Sequence, residues 1–184
     1  YRLSYDASSQ TYKVAIRSTV AYSGAMARIT NSTQFSIVAP DPDGSGPMAF
    51  AVTNLTNLTG LQWGQSQINS PVENPVKDYL FFAPANSGTY TPFNIPFNTW
   101  VDLFSFQTST ACIGPLYIFD NNADPLNANG SINSDNNFKT LGGGNVNLYA
   151  GNESNSVGCT CVTYKMTLDP DGQTYRVSFN SAAP

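Results

Sequence analysis

Histidine is absent from the 184 residues, and charge of either sign is scarce: 8 Lys+Arg stand against 12 Asp+Glu, 11% of the chain. The missing imidazole removes the commonest general base and the commonest metal ligand. A serine nucleophile here would lack its base. The few basic residues are scattered and the pI is near 4.4, which excludes the clustered Lys and Arg that nucleic acids and anionic membranes require. No run approaches the roughly 18 apolar residues of a transmembrane helix, so no membrane insertion is expected. The chain opens in a strand pattern without a signal peptide, as a mature or partial chain would. Glu73 and Glu153 are the two glutamates, both in polar contexts, and the aspartates cluster in turns. A glycosidase needs two facing carboxylates, and none are evident. Gly142-Gly143-Gly144 is followed by no Lys-Ser/Thr, so it is no phosphate loop. The chain is expected not to be an enzyme.

Apolar residues make up 41% and aromatics 12%, enough for one domain that buries roughly 70% of its unfolded surface. Asparagine occurs 20 times, so the surface is expected to be polar through amides rather than charges. Alternation with a period of two dominates, and no stretch holds a 3.6 period over three turns. Strands are expected at residues 2–6, 10–17, 33–39, 48–53, 61–68, 77–83, 99–107 and 115–119. Residues 23–28 could form one helical turn. In the second strand Tyr12, Val14 and Ile16 share one face, with Lys13 and Arg17 on the other. Pro40 to Pro47 is a turn cluster, residues 54–60 separate two strands, and residues 120–144 read as polar loop. Many short strands punctuated by Gly, Pro and Asn describe an all-β fold, an antiparallel β-sandwich.

The two ends repeat each other. YRLSYDASSQTYKVAI, Tyr1 to Ile16, matches YKMTLDPDGQTYRVSF, Tyr164 to Phe179, at a constant offset of 163. Tyr1/Tyr164, Asp6/Asp169, Gln10/Gln173, Thr11/Thr174, Tyr12/Tyr175 and Val14/Val177 are identical, and Lys13/Arg176 keeps the charge. Each copy reads as a hairpin, and Asp169-Pro170-Asp171-Gly172 spells the turn more clearly than Asp6-Ala7-Ser8-Ser9. Two similar hairpins of one sandwich would explain the match. A tandem array of period 163 would also explain it. So would a terminal hairpin that adds to the sheet of the next subunit, as donor strands do. The expected division is a sandwich over residues 1–158 and an assembly hairpin over residues 159–184. The expected assembly residues are Leu3, Tyr5, Tyr12, Val14 and Ile16 in one copy, and Tyr164, Met166, Leu168, Tyr175, Val177 and Phe179 in the other.

The opening motif, with Phe35 to Val38, NPVKDYLFF (74–82), VDLFSF (101–106), ACIGPLYIF (111–119) and NLYAGN (147–152), resembles cohesin-like β-sandwich domains of bacterial surface and adhesin-type proteins. The resemblance spans about four fifths of the chain and implies a jelly-roll or cohesin-like sandwich. It also implies an extracellular, cell-surface module of adhesion or structure. Its partners would be copies of itself, or surface glycans and other surface proteins.

Cys112, Cys159 and Cys161 offer one disulfide, Cys112 to Cys159 or to Cys161. It would close a loop of about fifty residues and contribute about 4 kcal/mol in the loop-entropy model. Three cysteines without histidine or CxxC make a poor zinc site. Sequons begin at Asn31, Asn54, Asn57, Asn129 and Asn152, as in a secreted glycoprotein. No cofactor is expected beyond a structural calcium. Asp120, Asn122 and Asp124 present hard oxygens at close spacing, and Asp41 and Asp43 sit in a second acidic turn. Neither that second turn nor Asp169-Pro170-Asp171-Gly172, which shares its Asp-x-Asp-Gly pattern, completes an EF-hand loop. Among aromatics that could stack on a sugar, Trp100 and Tyr117 lie in apolar strands and read as core. Tyr90 is a candidate by type, and Trp63, between Gln62 and Gly64, reads as the most exposed.

Overall fold

A computed structural model describes residues 1–20, 32–41, 44, 46–48, 50–85, 94–110, 114–140, 146–153 and 156–158, and the backbone of 163–168 and 175–180. Eleven strands are formed among them: β1 (Arg2–Asp6), β2 (Thr11–Ile16), β3 (Phe35–Pro40), β4 (Val52–Asn57), β5 (Trp63–Ile68), β6 (Lys77–Pro84), β7 (Val101–Thr108), β8 (Pro115–Ile118), β9 (Ser156–Gly158), β10 (Thr163–Leu168) and β11 (Tyr175–Asn180). A short 3-10 turn, Pro125–Ala128, follows β8. A four-stranded antiparallel sheet in the order β1-β2-β7-β4 faces a five-stranded one in the order β5-β6-β3-β8-β9. The protein is therefore an all-β sandwich. The expected helical turn at residues 23–28 lies outside the described residues.

The core between the sheets is aromatic. Phe104 of β7 lies 4.9 Å from Phe82, 4.8 Å from Trp63 and 6.2 Å from Phe35, measured between ring centroids. Tyr12 stacks on Phe106 at 5.2 Å. Rings carry large apolar areas, and tilted or edge-on pairs add to the area term. The alternation in β2 is realised: Tyr12 and Val14 are buried and Lys13 is exposed. A register shift between Val14 and Ala15 in the ladder to β7 breaks that alternation. The bulge lets Val14, Ala15 and Ile16 all be buried.

β3 is buried on both faces. Phe35, Ile37 and Ala39 join the core, whereas Val38 joins Tyr79, Phe81, Phe119 and Leu126 in a second cluster. Alternate strand residues point to opposite faces, so this second cluster lies on the outer side of the five-stranded sheet. The segment after β8 supplies Phe119 and Leu126, with Ile132 packed against them. Residues 120–140 are thus a covering layer over the sheet.

That layer is held by buried amides. Asn136 is fully buried: its Oδ1 accepts from Ser36 N at 2.8 Å and its Nδ2 donates to Phe119 O at 2.7 Å. Its own N–H donates to Asn121 Oδ1 at 2.9 Å, and Asn121 Nδ2 donates to Asn136 O at 2.8 Å. Gln34 Nε2 reaches Asn133 O at 2.8 Å. The asparagines were expected to furnish surface polarity, yet Asn136 and Asn137 are buried. An amide offers donor and acceptor together, and can satisfy irregular buried backbone without a charge.

Several element bounds differ from those expected. β4 begins at Val52 and runs through Asn54 and Asn57, where a separating loop was expected. It is the edge strand of its sheet and pairs with β7 alone, so water tolerates its polar residues. Trp63 is 4% exposed and belongs to the core, not the surface. Trp100 is only half-buried, with the guanidinium carbons of Arg2 and Arg17 4.3 Å and 4.9 Å from its ring centroid. The indole expected inside lies at the rim, and the one expected outside is core.

Candidate functional site

The repeated hairpin is the feature with the clearest geometry. In β1 and β2 the pairs are Leu3 with Val14, Ser4 with Lys13, Tyr5 with Tyr12 and Asp6 with Thr11. In β10 and β11 they are Met166 with Val177, Thr167 with Arg176 and Leu168 with Tyr175. Adding 163 to each partner of the first three pairs gives the partners of the second hairpin, and residues 169–174 lie outside the described ones. The sequence repeat is therefore also a repeat of register, which a one-residue slip would have destroyed.

The two copies differ in what they join. β2 pairs with β7, and this ladder carries the first hairpin into the four-stranded sheet. Leu3, Tyr12, Val14 and Ile16 are buried there, and Tyr5 packs against them from the edge, 4.7 Å from the Tyr12 ring. These expected assembly residues serve the core of their own sandwich. Among the described residues, β10 and β11 form a two-stranded sheet that contains no strand of either larger one. β9, the last strand of the five-stranded sheet, ends at Gly158. Tyr164, Met166, Leu168, Tyr175, Val177 and Phe179 occupy the register positions that correspond to Tyr1, Leu3, Tyr5, Tyr12, Val14 and Ile16.

Polar contacts secure the first hairpin at both ends. At its turn, Asp6 accepts from Ser8 Oγ at 2.7 Å, Ser9 Oγ at 2.9 Å and Ser8 N at 2.9 Å. Those donors, the Ser8 hydroxyl foremost, hold its carboxyl at about 2 against an ordinary 3.8. At its open end, Tyr1 N donates to Gly151 O at 2.8 Å and Glu153 N donates to Tyr1 O at 2.8 Å. The Tyr1 hydroxyl donates to Asn137 O at 2.8 Å, and burial pushes its pKa far up. Lys13 Nζ lies 3.0 Å from Asp102 Oδ2 across the ladder to β7. Arg17 pairs with Glu153 at 2.8 Å.

The remaining candidates are placed as follows. Asp120 Oδ1 accepts from Asn122 N at 2.9 Å, closing a turn, and Asn122 is exposed. Asp124 Oδ1 accepts from Leu126 N at 2.9 Å, capping the 3-10 turn, and from the Tyr79 hydroxyl at 2.8 Å. Burial, with Asp124 second, raises the Tyr79 phenol above the ordinary tyrosine range. Asp41 is buried and accepts from the Ser70 hydroxyl, whose backbone N donates to Asp78 Oδ1 at 3.0 Å. Among the described residues no group of three or more acidic or cysteine side chains could hold a metal ion. Asp43, Tyr90, Asn31 and the three cysteines lie outside the described residues. Of the other sequons, Asn54 Nδ2 donates to Gln107 Oε1 at 2.5 Å, and exposed Asn57 accepts from Trp63 N at 2.9 Å. Asn129 Nδ2 donates to Glu73 at 2.8 Å and Asn152 Nδ2 to Phe119 O at 3.2 Å.

Compared with protein-family models, curated proteins and solved structures, the chain matches none.

Proposed function

We propose that this protein is a non-catalytic structural subunit of an extracellular filament or surface array, joined head-to-tail through the hairpin β10–β11. The observation that carries the reading is the second hairpin, which keeps the register of a core hairpin yet, among the described residues, shares a ladder with no strand of either larger sheet. Neither larger sheet includes that hairpin among the described residues, and isolated two-stranded hairpins are marginal in water, so its partner is sought in a second copy. A contact between unlike surfaces of identical subunits does not close on itself, so it propagates as a filament. Low charge suits such a polymer, because identical junctions would otherwise repeat the same repulsion.

Deleting residues 163–184 tests the function. The shortened chain is expected to keep the β-sheet circular dichroism and cooperative melt of the sandwich. It should sediment as a monomer at concentrations where the full chain assembles. Assembly that survives the deletion would refute the reading.

A further inference from the structure

We infer that the acceptor for β10–β11 is the place held by β1–β2 in a second copy of this chain, so that subunits join by hairpin exchange rather than by addition to a free sheet edge. The inference rests on the assembly function proposed above and names its docking site. Edge addition asks only for a strand of suitable polarity. It does not ask that Tyr1, Asp6, Gln10, Tyr12 and Val14 recur at one offset, with the four pairs from Arg2–Ala15 to Tyr5–Tyr12 repeated in register. That degree of match is what a shared binding slot requires.

The slot is defined by β7. In the chain's own sandwich Tyr12 lies opposite Phe106, Lys13 opposite Ser105 and Val14 opposite Phe104. The corresponding residues of β11 are Tyr175, Arg176 and Val177. Two identical residues and a retained positive charge would meet the same three residues of the next copy. Lys13 reaches Asp102 at 3.0 Å, and Arg176 brings a guanidinium to that position. Arg2, whose guanidinium lies over Trp100, corresponds to Lys165, so a second cation–ring contact is preserved in kind. Arg17 corresponds to Asn180, and its ion pair with Glu153 is the contact that the second hairpin lacks.

Exchange needs a reason to proceed, since one hairpin leaves as another enters. The first hairpin turns through Asp6-Ala7-Ser8-Ser9-Gln10, with Gln10 at φ 52°, a left-handed conformation that L-residues resist. The second reads Asp169-Pro170-Asp171-Gly172-Gln173, in which Gln10 recurs as Gln173 and proline stands in place of Ala7, a residue whose ring fixes φ. Proline at position 170 restricts the backbone before the hairpin docks, so the second copy gives up less turn freedom on entering than the first regains on leaving.

The test uses the full-length chain carrying Arg176→Lys, mixed as nitrogen-15-labelled and unlabelled protein and treated with a carbodiimide during assembly. The expected product is an amide linking position 176 of one isotopic form to Asp102 of the other. The Lys13–Asp102 link within one chain should fall as assembly advances. Assembly in which position 176 links only to other carboxylates, while Lys13–Asp102 persists, overturns the exchange and leaves the assembly function standing. A 176-to-102 link confined to single chains overturns exchange as well. Failure of the full chain to assemble under any condition overturns both. As a second variant, Arg176→Asp is expected to weaken assembly roughly two- to fivefold, the range of an exposed ion pair. Adding Asp102→Arg to the same chain should restore it, which a merely misfolded hairpin would not permit.

Discussion

The duplicated hairpin allows one substitution to be made twice with opposite consequences. Val14 is fully buried in the core, opposite Leu3 on one side and Phe104 on the other. Val14→Ala removes two methyl groups, worth about 1.6 kcal/mol at about 0.8 kcal/mol each. If the void of roughly 50 Å³ does not collapse, cavity energy adds about 1 kcal/mol. The expected loss is about 2–3 kcal/mol, or a melting temperature lower by about 5–10 °C for a domain of this size. Val177→Ala removes the same two methyls from the corresponding position of β11. It should leave the unfolding of the monomeric sandwich within about 0.5 kcal/mol of the unaltered chain. Its effect should fall on assembly, where 2–3 kcal/mol weakens each junction by roughly 30- to 150-fold. Urea unfolding followed by tryptophan fluorescence reads the first quantity, because Trp63 sits in the core 4.8 Å from the Phe104 ring. Sedimentation velocity reads the second. Equal destabilisation of the monomer by both substitutions would refute the reasoning, since the second hairpin would then belong to its own sandwich. A Val14→Ala loss below about 0.5 kcal/mol would refute the placement of the first hairpin in the core.

Asn136→Ala should cost about 1–4 kcal/mol in urea unfolding, because it strands the buried Ser36 N–H and leaves the Phe119 carbonyl only its longer bond from Asn152; a loss under about 0.5 kcal/mol would mean that water replaces the amide. In an NMR titration the Asp6 carboxyl should show a midpoint near 2, returning toward 3.8 in a Ser8→Ala, Ser9→Ala chain. Because its folded pKa lies below the unfolded one, the stability it contributes is present above about 4 and is lost as the pH falls toward 2. Tyr1 and Tyr79 have phenols raised by burial, so their neutral forms stabilise the fold below an ordinary pKa of 10 and that stability is lost above it. Ultraviolet titration should find both silent until alkaline unfolding, and reversible ionisation of either near 10 in the folded protein would contradict their environments.

The sandwich was legible in the sequence where one face of a strand meets water. Tyr12, Val14 and Ile16 announce β2 because Lys13 and Arg17 interrupt them, and the repeat at offset 163 reports the register of both hairpins. Legibility failed where burial is two-sided or where an edge is polar. β3 is buried on both faces, so the outer cluster around Val38 and Tyr79 had no alternation to reveal it. The later part of β4 looked like a loop because an edge strand can keep Asn54, Thr56 and Asn57 in contact with solvent. Trp63 looked exposed because its sequence neighbours Gln62 and Gly64 are not apolar. Its place at the start of β5 turns the ring onto Phe104 all the same. The amide network left no local signature. Asn121 and Asn136 are fifteen residues apart, and nothing in either neighbourhood distinguishes a buried asparagine from one on a solvated loop.

That network also explains why the chain can be so poor in charge. The segment from Phe119 to Thr140 covers a sheet face without forming strands long enough to satisfy its own backbone, so Ser36 N–H and Phe119 C=O must be met by side chains. A carboxylate could meet only the donor, and would bear the cost of an uncompensated charge in the interior. One asparagine meets both, and a second, Asn121, fixes the backbone of the first. The amides thus close the outer face of the five-stranded sheet and bury a second apolar cluster beneath them. Among the described residues, both faces of the five-stranded sheet are then covered, one by the core and the other by the amide-held layer.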